Sequence, residues 1–114
     1  AVAGAGRAAS DPRESDRREW WMPRAESLAR YVATELQSSD AVLLQEWWFG
    51  EEFEELFDAH TGGIFRRVSE RRPGREDGMA VLIKRTGKLE FVKSAPVRTG
   101  PQRIGQVVTC RERG

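Results

Sequence analysis

The apolar residues of this chain change their spacing along its length, from the period of a helix to the short runs of β-strands. In the first part they recur at intervals of four, three, four and four residues, which is the stripe of an amphipathic helix. Pro23 would stand in the first turn of this helix, where its missing N–H is tolerated. The stripe predicts a helix that ends at "QSSD", and its positions are Trp21, Ala25, Leu28, Val32 and Leu36.

Two further elements are predicted directly after this helix. The run "AVLL", residues 41–44, is short, continuous and apolar, which is typical of a strand that is buried on both faces. The stretch "EEFEELFDAH", residues 51–60, places Phe53, Leu56 and Phe57 on one helical face. Its first glutamates suit the positive end of a helix dipole. These patterns predict the order helix, strand, helix.

After Gly63 the pattern is that of strands. The runs "GIFRRVSE", "GMAVLIK", "KLEFVKS" and "RIGQVVTC" are rich in β-forming residues and are separated by turn-type stretches. A helix-dominated part therefore precedes a strand-dominated part, which predicts an α/β fold class.

Composition limits the chain to one small domain. At 114 residues, with 39% hydrophobic and 32% charged residues, the chain can bury one core. No apolar run approaches the roughly 18 residues of a membrane span, and the single Cys110 fits a reducing compartment. We therefore expect an intracellular protein with no transmembrane segment, in which residues 1–19 are a flexible segment and residues 20–114 form the domain.

Charge is distributed unevenly although the formal net charge is only +1. The stretch "EWWFGEEFEELFD", residues 46–58, has six acidic residues and no basic one, whereas "RRVSERRPGR", residues 66–75, has five arginines and one glutamate. Arginines in such a cluster can bind phosphate through bidentate contacts. The other interpretation is a solvated strand and turn whose arginines are balanced by nearby acids.

The strand Ala41–Gln45 would need a neighbour on each edge to pair its backbone groups. Residues 1–19 contain no run that predicts such a strand, and the chain stops at "CRERG" directly after a β run. We therefore expect the chain to be a piece of a larger domain.

Four blocks of the sequence resemble a known family. They are "RESDRREWWMPRAESLARYV", "SDAVLLQEWWF", "GREDGMAVLIK" and "QRIGQVV". In this order they resemble the endonuclease/exonuclease/phosphatase superfamily of metal-dependent phosphodiesterases, in its plant and algal branch. The resemblance covers residues 13–109 and implies the N-terminal half of an α/β sandwich, in which two mainly antiparallel sheets pack face to face with helices outside. Ala41–Gln45 would be a central strand, and the four later runs would form hairpins of one sheet.

The resemblance also implies a metal ligand. In this superfamily the glutamate at the end of that strand binds the catalytic divalent cation, usually Mg²⁺ with Mn²⁺ as an alternative, and Glu46 occupies that position. The implied activity is hydrolysis of a phosphate ester, with nucleic acid among the substrates. The first-strand Asn, the Asp-x-Asn pair and the terminal Asp-His pair of the superfamily are absent from the chain. We therefore assign no general base and expect this chain alone to be inactive.

The alternative is a non-catalytic module that binds nucleic acid or an acidic partner through its Arg-rich strand and turn, with Glu46 in a structural role. In either case Arg75 is a candidate phosphate contact. The single histidine, His60, is expected at a helix terminus or in a loop. Trp47 and Trp48 could stack on a base or lipid but are expected in the core. Asp77 and Gly78 are expected to be structural, with Gly78 supplying a positive φ.

Overall fold

The structure is a computed structural model that describes residues 16–114. The segment predicted for residues 1–19 therefore lies outside the described residues except for its last four. The remaining chain forms two helices and five strands. They are α1 (Arg18–Glu35), β1 (Ala41–Trp48), α2 (Glu51–Thr61), β2 (Phe65–Arg71), β3 (Asp77–Lys84), β4 (Leu89–Gly100) and β5 (Arg103–Glu112).

Helix α1 begins earlier than its apolar stripe predicts. Because the helix starts at Arg18, Pro23 stands inside it and not in its first turn, so one backbone hydrogen bond is missing there. The helix buries Ala25, Ala29 and Val32. Leu28, which the stripe placed in the core, is 45% exposed.

The strands form two antiparallel sheets. Together with the two helices they confirm the predicted α/β class. The first sheet has three strands in the order β1-β3-β2, and the second is the β4-β5 hairpin. The prediction that all four later runs share one sheet is wrong. β3 pairs with both β1 and β2, whereas β4 and β5 pair with each other in a separate sheet. Within the described residues β1 is an edge strand, not the central strand predicted for it.

The core lies between the helices and one face of the three-stranded sheet. Its residues are Ala29, Val32, Val42, Trp47, Phe57, Phe65, Ala80 and Leu82. The strand buried on both faces is β3, in which residues 80–83 are all buried. The prediction that β1 is buried on both faces is wrong, since Leu43 is 74% exposed.

The hairpin is attached to the first sheet on the face opposite the helices. Ser94 Oγ donates to Glu70 Oε2 at 2.9 Å, and Gln106 Nε2 donates to the carbonyl oxygen of Val68 at 3.1 Å. The guanidinium of Arg66 lies 4.4 Å from the ring centroid of Phe91. These contacts hold the hairpin over β2 and β3, so the corresponding face of β1 stays open.

Neither helix of the described part of the chain is long and apolar enough to cross a membrane.

Gly78 allows β2 and β3 to approach each other closely. A Cβ at this position would clash with the carbonyl oxygen of Glu70, whereas a Cβ at Gly63 would meet no atom of residues 16–114 within 4 Å. We predict that Gly78→Ala lowers the free energy of unfolding by at least ~1–3 kcal/mol, the usual cost of overpacking. The control Gly63→Ala should change it by less than about 0.5 kcal/mol. Urea denaturation measures both variants, and equal stabilities would contradict the close approach.

Candidate metal and phosphate site

Glu46 lies in a β-bulge near the end of β1. Leu44 pairs with Ala80 and Trp47 pairs with Gly78, so Gln45 and Glu46 together stand opposite a single residue of β3. Such a bulge bends the strand and changes the direction of its side chains. Glu46 has φ +54°, a left-handed conformation that is costly for a residue with a Cβ.

The extra residue of the bulge determines which side chains of β1 enter the core. In an unbroken strand Val42, Leu44 and Glu46 would share one face, because side chains alternate. With one residue added, Trp47 follows Leu44 on the inner face and Glu46 is left exposed. The bulge therefore buries the aromatic ring and presents the carboxylate to solvent.

Trp47 is held in the core by rings on α2. Its ring centroid lies 4.9 Å from that of Phe53 and 5.0 Å from that of Phe57, and the residue is 2% exposed. Within the described part of the chain its indole N–H is buried without a hydrogen-bond partner. The prediction that Trp47 packs in the core is confirmed. Trp48 is half-buried and meets Trp21 edge to face at 4.9 Å.

Glu46 lines an open groove of about 500 Å³ next to the loop between β2 and β3. The other residues of this groove are Trp48, Arg72, Gly74, Arg75, Glu76 and Asp77. Within residues 16–114 the Glu46 carboxylate has no hydrogen-bond or ion-pair partner. The structure therefore brings together the two site residues predicted from the sequence, Glu46 and Arg75, in one polar groove.

The loop beside Glu46 is fixed by Arg72. Its guanidinium donates to Asp77 Oδ1 from Nε at 3.1 Å and from Nη2 at 2.8 Å, and its Nη1 donates to the carbonyl oxygen of Gln102 at 3.3 Å. Gly74 takes φ +69° at the tip of the loop, where glycine has no Cβ penalty. Because Arg72 compensates the charge of Asp77, this carboxylate is not a second free ligand.

Arg75 is exposed, and its Nη1 donates to Gln102 Oε1 at 3.4 Å. A hydrogen bond of this length is weak, so the guanidinium could turn toward an anion in the groove at little cost. The other four arginines of the cluster pair with acids or lie over aromatic rings. Arg66 lies over Phe91, Arg71 lies over Phe49 at 5.3 Å, and Arg72 binds Asp77.

Arg67 joins β2 to α2. It donates to Asp58 from Nε at 3.1 Å and from Nη2 at 2.9 Å, and its Nη2 is 3.2 Å from Glu54 Oε1. Its guanidinium also lies 4.8 Å from the ring centroid of Trp47. The hydrogen bond to Asp58 raises the pKa of Arg67 above its ordinary value, against the opposing effect of burial. For Arg67 the interpretation of an arginine balanced by nearby acids is therefore confirmed.

The described residues fit only part of a magnesium site. Among residues 16–114 no three His, Cys, Asp or Glu side chains come together as a metal-binding group. Mg²⁺ is commonly held by one or two carboxylates together with substrate phosphate and water. Glu46 can supply one such carboxylate, and the exposed Glu76 stands at the same groove.

The remaining predicted residues have structural positions. His60 lies in the last turn of α2, as expected for a helix terminus, and does not line the groove of Glu46. Asp77 and Gly78 are structural as predicted, but Gly78 does not have a positive φ. The small size of Gly78 is required by the close approach of the β2 backbone.

Gln102 is a part of the site that the sequence did not indicate. It lies at the tip of the β4-β5 hairpin with φ +56°, and it accepts hydrogen bonds from Arg72 and Arg75. The stretch "TGPQ" predicts a turn. Where that turn lies relative to β1 depends on tertiary packing, so no local signal could have identified Gln102.

No protein-family model matches this chain, and no curated protein or solved structure is significantly similar to it. The resemblance of the four sequence blocks therefore stays a prediction.

The strain at Glu46 gives a test of the bulge. We predict that Glu46→Gly raises the free energy of unfolding by about 1 kcal/mol, because glycine adopts positive φ without a steric penalty. Gln45→Gly, at the neighbouring position, should lower it by about 0.5–1 kcal/mol. Chemical denaturation of the two variants measures the difference, and a destabilised Glu46→Gly variant would contradict the left-handed conformation.

Proposed function

We propose that this chain contributes a metal ligand and a phosphate-binding arginine to a Mg²⁺-dependent phosphoric ester hydrolase. The observation that carries the proposal is the exposed carboxylate of Glu46, held in a strained bulge at the edge of a polar groove. Strained backbone is concentrated at functional sites. The sequence resemblance supports the same residue as the ligand.

The residues of the groove have separate roles in this proposal. The Glu46 carboxylate binds the cation, and the Arg75 guanidinium contacts a phosphate oxygen of the substrate. Arg72 does not bind substrate, because it is engaged with Asp77 and Gln102 and so holds the loop in place. A bound Mg²⁺ would act as a Lewis acid toward the phosphoryl group.

This chain would supply only a share of the catalytic groups. Its single histidine lies in the last turn of α2, and it does not line the groove at Glu46. The general base, and the groups that stabilise the transition state besides Arg75, would come from outside the described residues. Hydrolysis therefore needs groups beyond those that line this groove.

The contacts of the arginine cluster favour this proposal over a binding module based on the Arg-rich strand and turn. Four of its five arginines pair with acids or lie over aromatic rings of the same chain. A nucleic acid would have to compete with these contacts for each guanidinium. Arg72 and Arg75 both line the groove of Glu46. Arg72 is paired with Asp77, whereas the side-chain contact of Arg75 is a long hydrogen bond to Gln102.

Paramagnetic line broadening by Mn²⁺ tests the role of Glu46. In the NMR spectrum of the 114-residue chain, Mn²⁺ should first broaden the amide signals of residues 45–48 and 74–77. Binding should be weak, at about millimolar levels, because one carboxylate competes poorly with water for the ion. The Glu46→Gln variant should lose this pattern, since glutamine is nearly isosteric but uncharged.

The matched control is Glu112→Gln, which changes an exposed acid at the end of β5. This variant should keep the broadening at residues 45–48. Broadening centred on the acidic residues of α2 in the wild type, and unchanged by Glu46→Gln, would refute the proposed ligand.

A further inference from the structure

The outer edge of β1 presents unpaired backbone groups. Lys84 N donates to the carbonyl oxygen of Asp40 at 2.9 Å, and backbone groups of alternate residues in an antiparallel pair point to the same side. The backbone N–H and C=O groups of Val42 and Leu44 therefore point toward β3. The N–H and C=O groups of Ala41, Leu43 and Gln45 point away from it, along the edge that no described strand covers.

Apolar side chains flank this edge on both faces of the sheet. Leu43 is 74% exposed on the open face, next to an apolar groove of about 340 Å³ that continues to Val108 and Cys110 of the hairpin. On the helical face Leu28 lines a cavity together with Leu44 and Gln45, and it is 45% exposed. An exposed, flat, apolar edge is a template for another strand.

We propose that the occupant of this edge is the β1 strand of a second copy of the chain, paired antiparallel about a two-fold axis at Leu43. In this register Leu43 stands opposite Leu43 of the other copy, and Ala41 stands opposite Gln45. The three outward residues of each copy then make about six backbone hydrogen bonds. The two three-stranded sheets become one continuous sheet, with the helices of both copies on the same face.

One exposed side of α1 is complementary to itself under the same two-fold rotation. Arg24, Leu28, Tyr31 and Glu35 are all exposed, and their spacing of four, three and four places them along one side of the helix. Antiparallel packing of two copies of α1 places Arg24 opposite Glu35 and Leu28 opposite Tyr31. The contacts are therefore apolar at the centre and oppositely charged at both ends.

The two-fold axis of the strand pair and that of the helix pair would pass close to each other. The rings of Trp21 and Trp48 meet at 4.9 Å, which aligns the start of α1 with the end of β1. From Trp21 to the midpoint between Leu28 and Tyr31 is about 13 Å, at about 1.5 Å per residue. From Trp48 to Leu43 is about 13–16 Å, at about 3.3 Å per residue with allowance for the bulge. One axis can therefore serve both pairs, as a closed two-fold dimer requires.

Sedimentation velocity of the 114-residue chain tests the dimer. Over micromolar to millimolar concentrations, the mass should rise from 12.9 kDa to twice that value and no further. Leu43→Lys should weaken association at least about tenfold, because like charges would stand directly opposite each other. The control Val107→Lys changes a residue that is 54% exposed on the hairpin, and this variant should associate like the wild type.

Two further variants test the symmetry of the helical contact. Arg24→Glu and Glu35→Arg should each weaken the dimer, and the double variant should restore it because the charges are exchanged across the axis. In a Cys110→Ser background, Leu43→Cys should give a disulfide-linked dimer on mild oxidation, whereas Val107→Cys should not. A monomer at every concentration, growth into larger assemblies, or a dimer that Leu43→Lys leaves intact would overturn the proposal.

Discussion

The burial of Trp47 determines the form of the site. Fully burying a tryptophan removes about 150–250 Å² of surface from water, which at about 25 cal/mol per Å² is worth about 4–6 kcal/mol. The edge contacts with Phe53 and Phe57 add to this. The opposing costs are about 1–3 kcal/mol for the left-handed Glu46 and about 1–3 kcal/mol for the unpaired indole N–H. Burial together with the ring contacts offsets these costs, so the strand accepts an extra residue and Glu46 is turned to solvent.

The charged groups next to Trp47 also stabilise this arrangement. Arg67 lies against Trp47 and pairs with Asp58 and Glu54 of α2. It therefore links β2, α2 and the end of β1, and its hydrogen bond to Asp58 raises its pKa. Arg67 thus connects the basic block of the sequence to the acidic block. Glu46 and Arg75 remain exposed in the polar groove.

The sequence predicted the elements better than their assembly. The helical stripe and the β-rich runs identified both helices and all five strands, because periodicity is a local property. Glu46 was singled out at the end of β1, and Trp47 was expected in the core. The edge position of β1, the separate hairpin and the role of Gln102 could not be predicted, since each depends on contacts between residues far apart in the chain. The bulge had a faint local signal. Leu44 and Trp47 are three residues apart, so a strand that buries Val42, Leu44 and Trp47 on one face must contain one residue too many.

The central claim is that the bulge in β1 separates Glu46 from Trp47, and cross-strand nuclear Overhauser effects measure this directly. The account predicts contacts between the backbones of Leu44 and Ala80 and between those of Trp47 and Gly78, together with a strong intraresidue contact between the amide and α protons of Glu46 from its positive φ. An unbroken register, in which Glu46 itself stands opposite Gly78, would bury the carboxylate and expose the indole, and it would contradict the account.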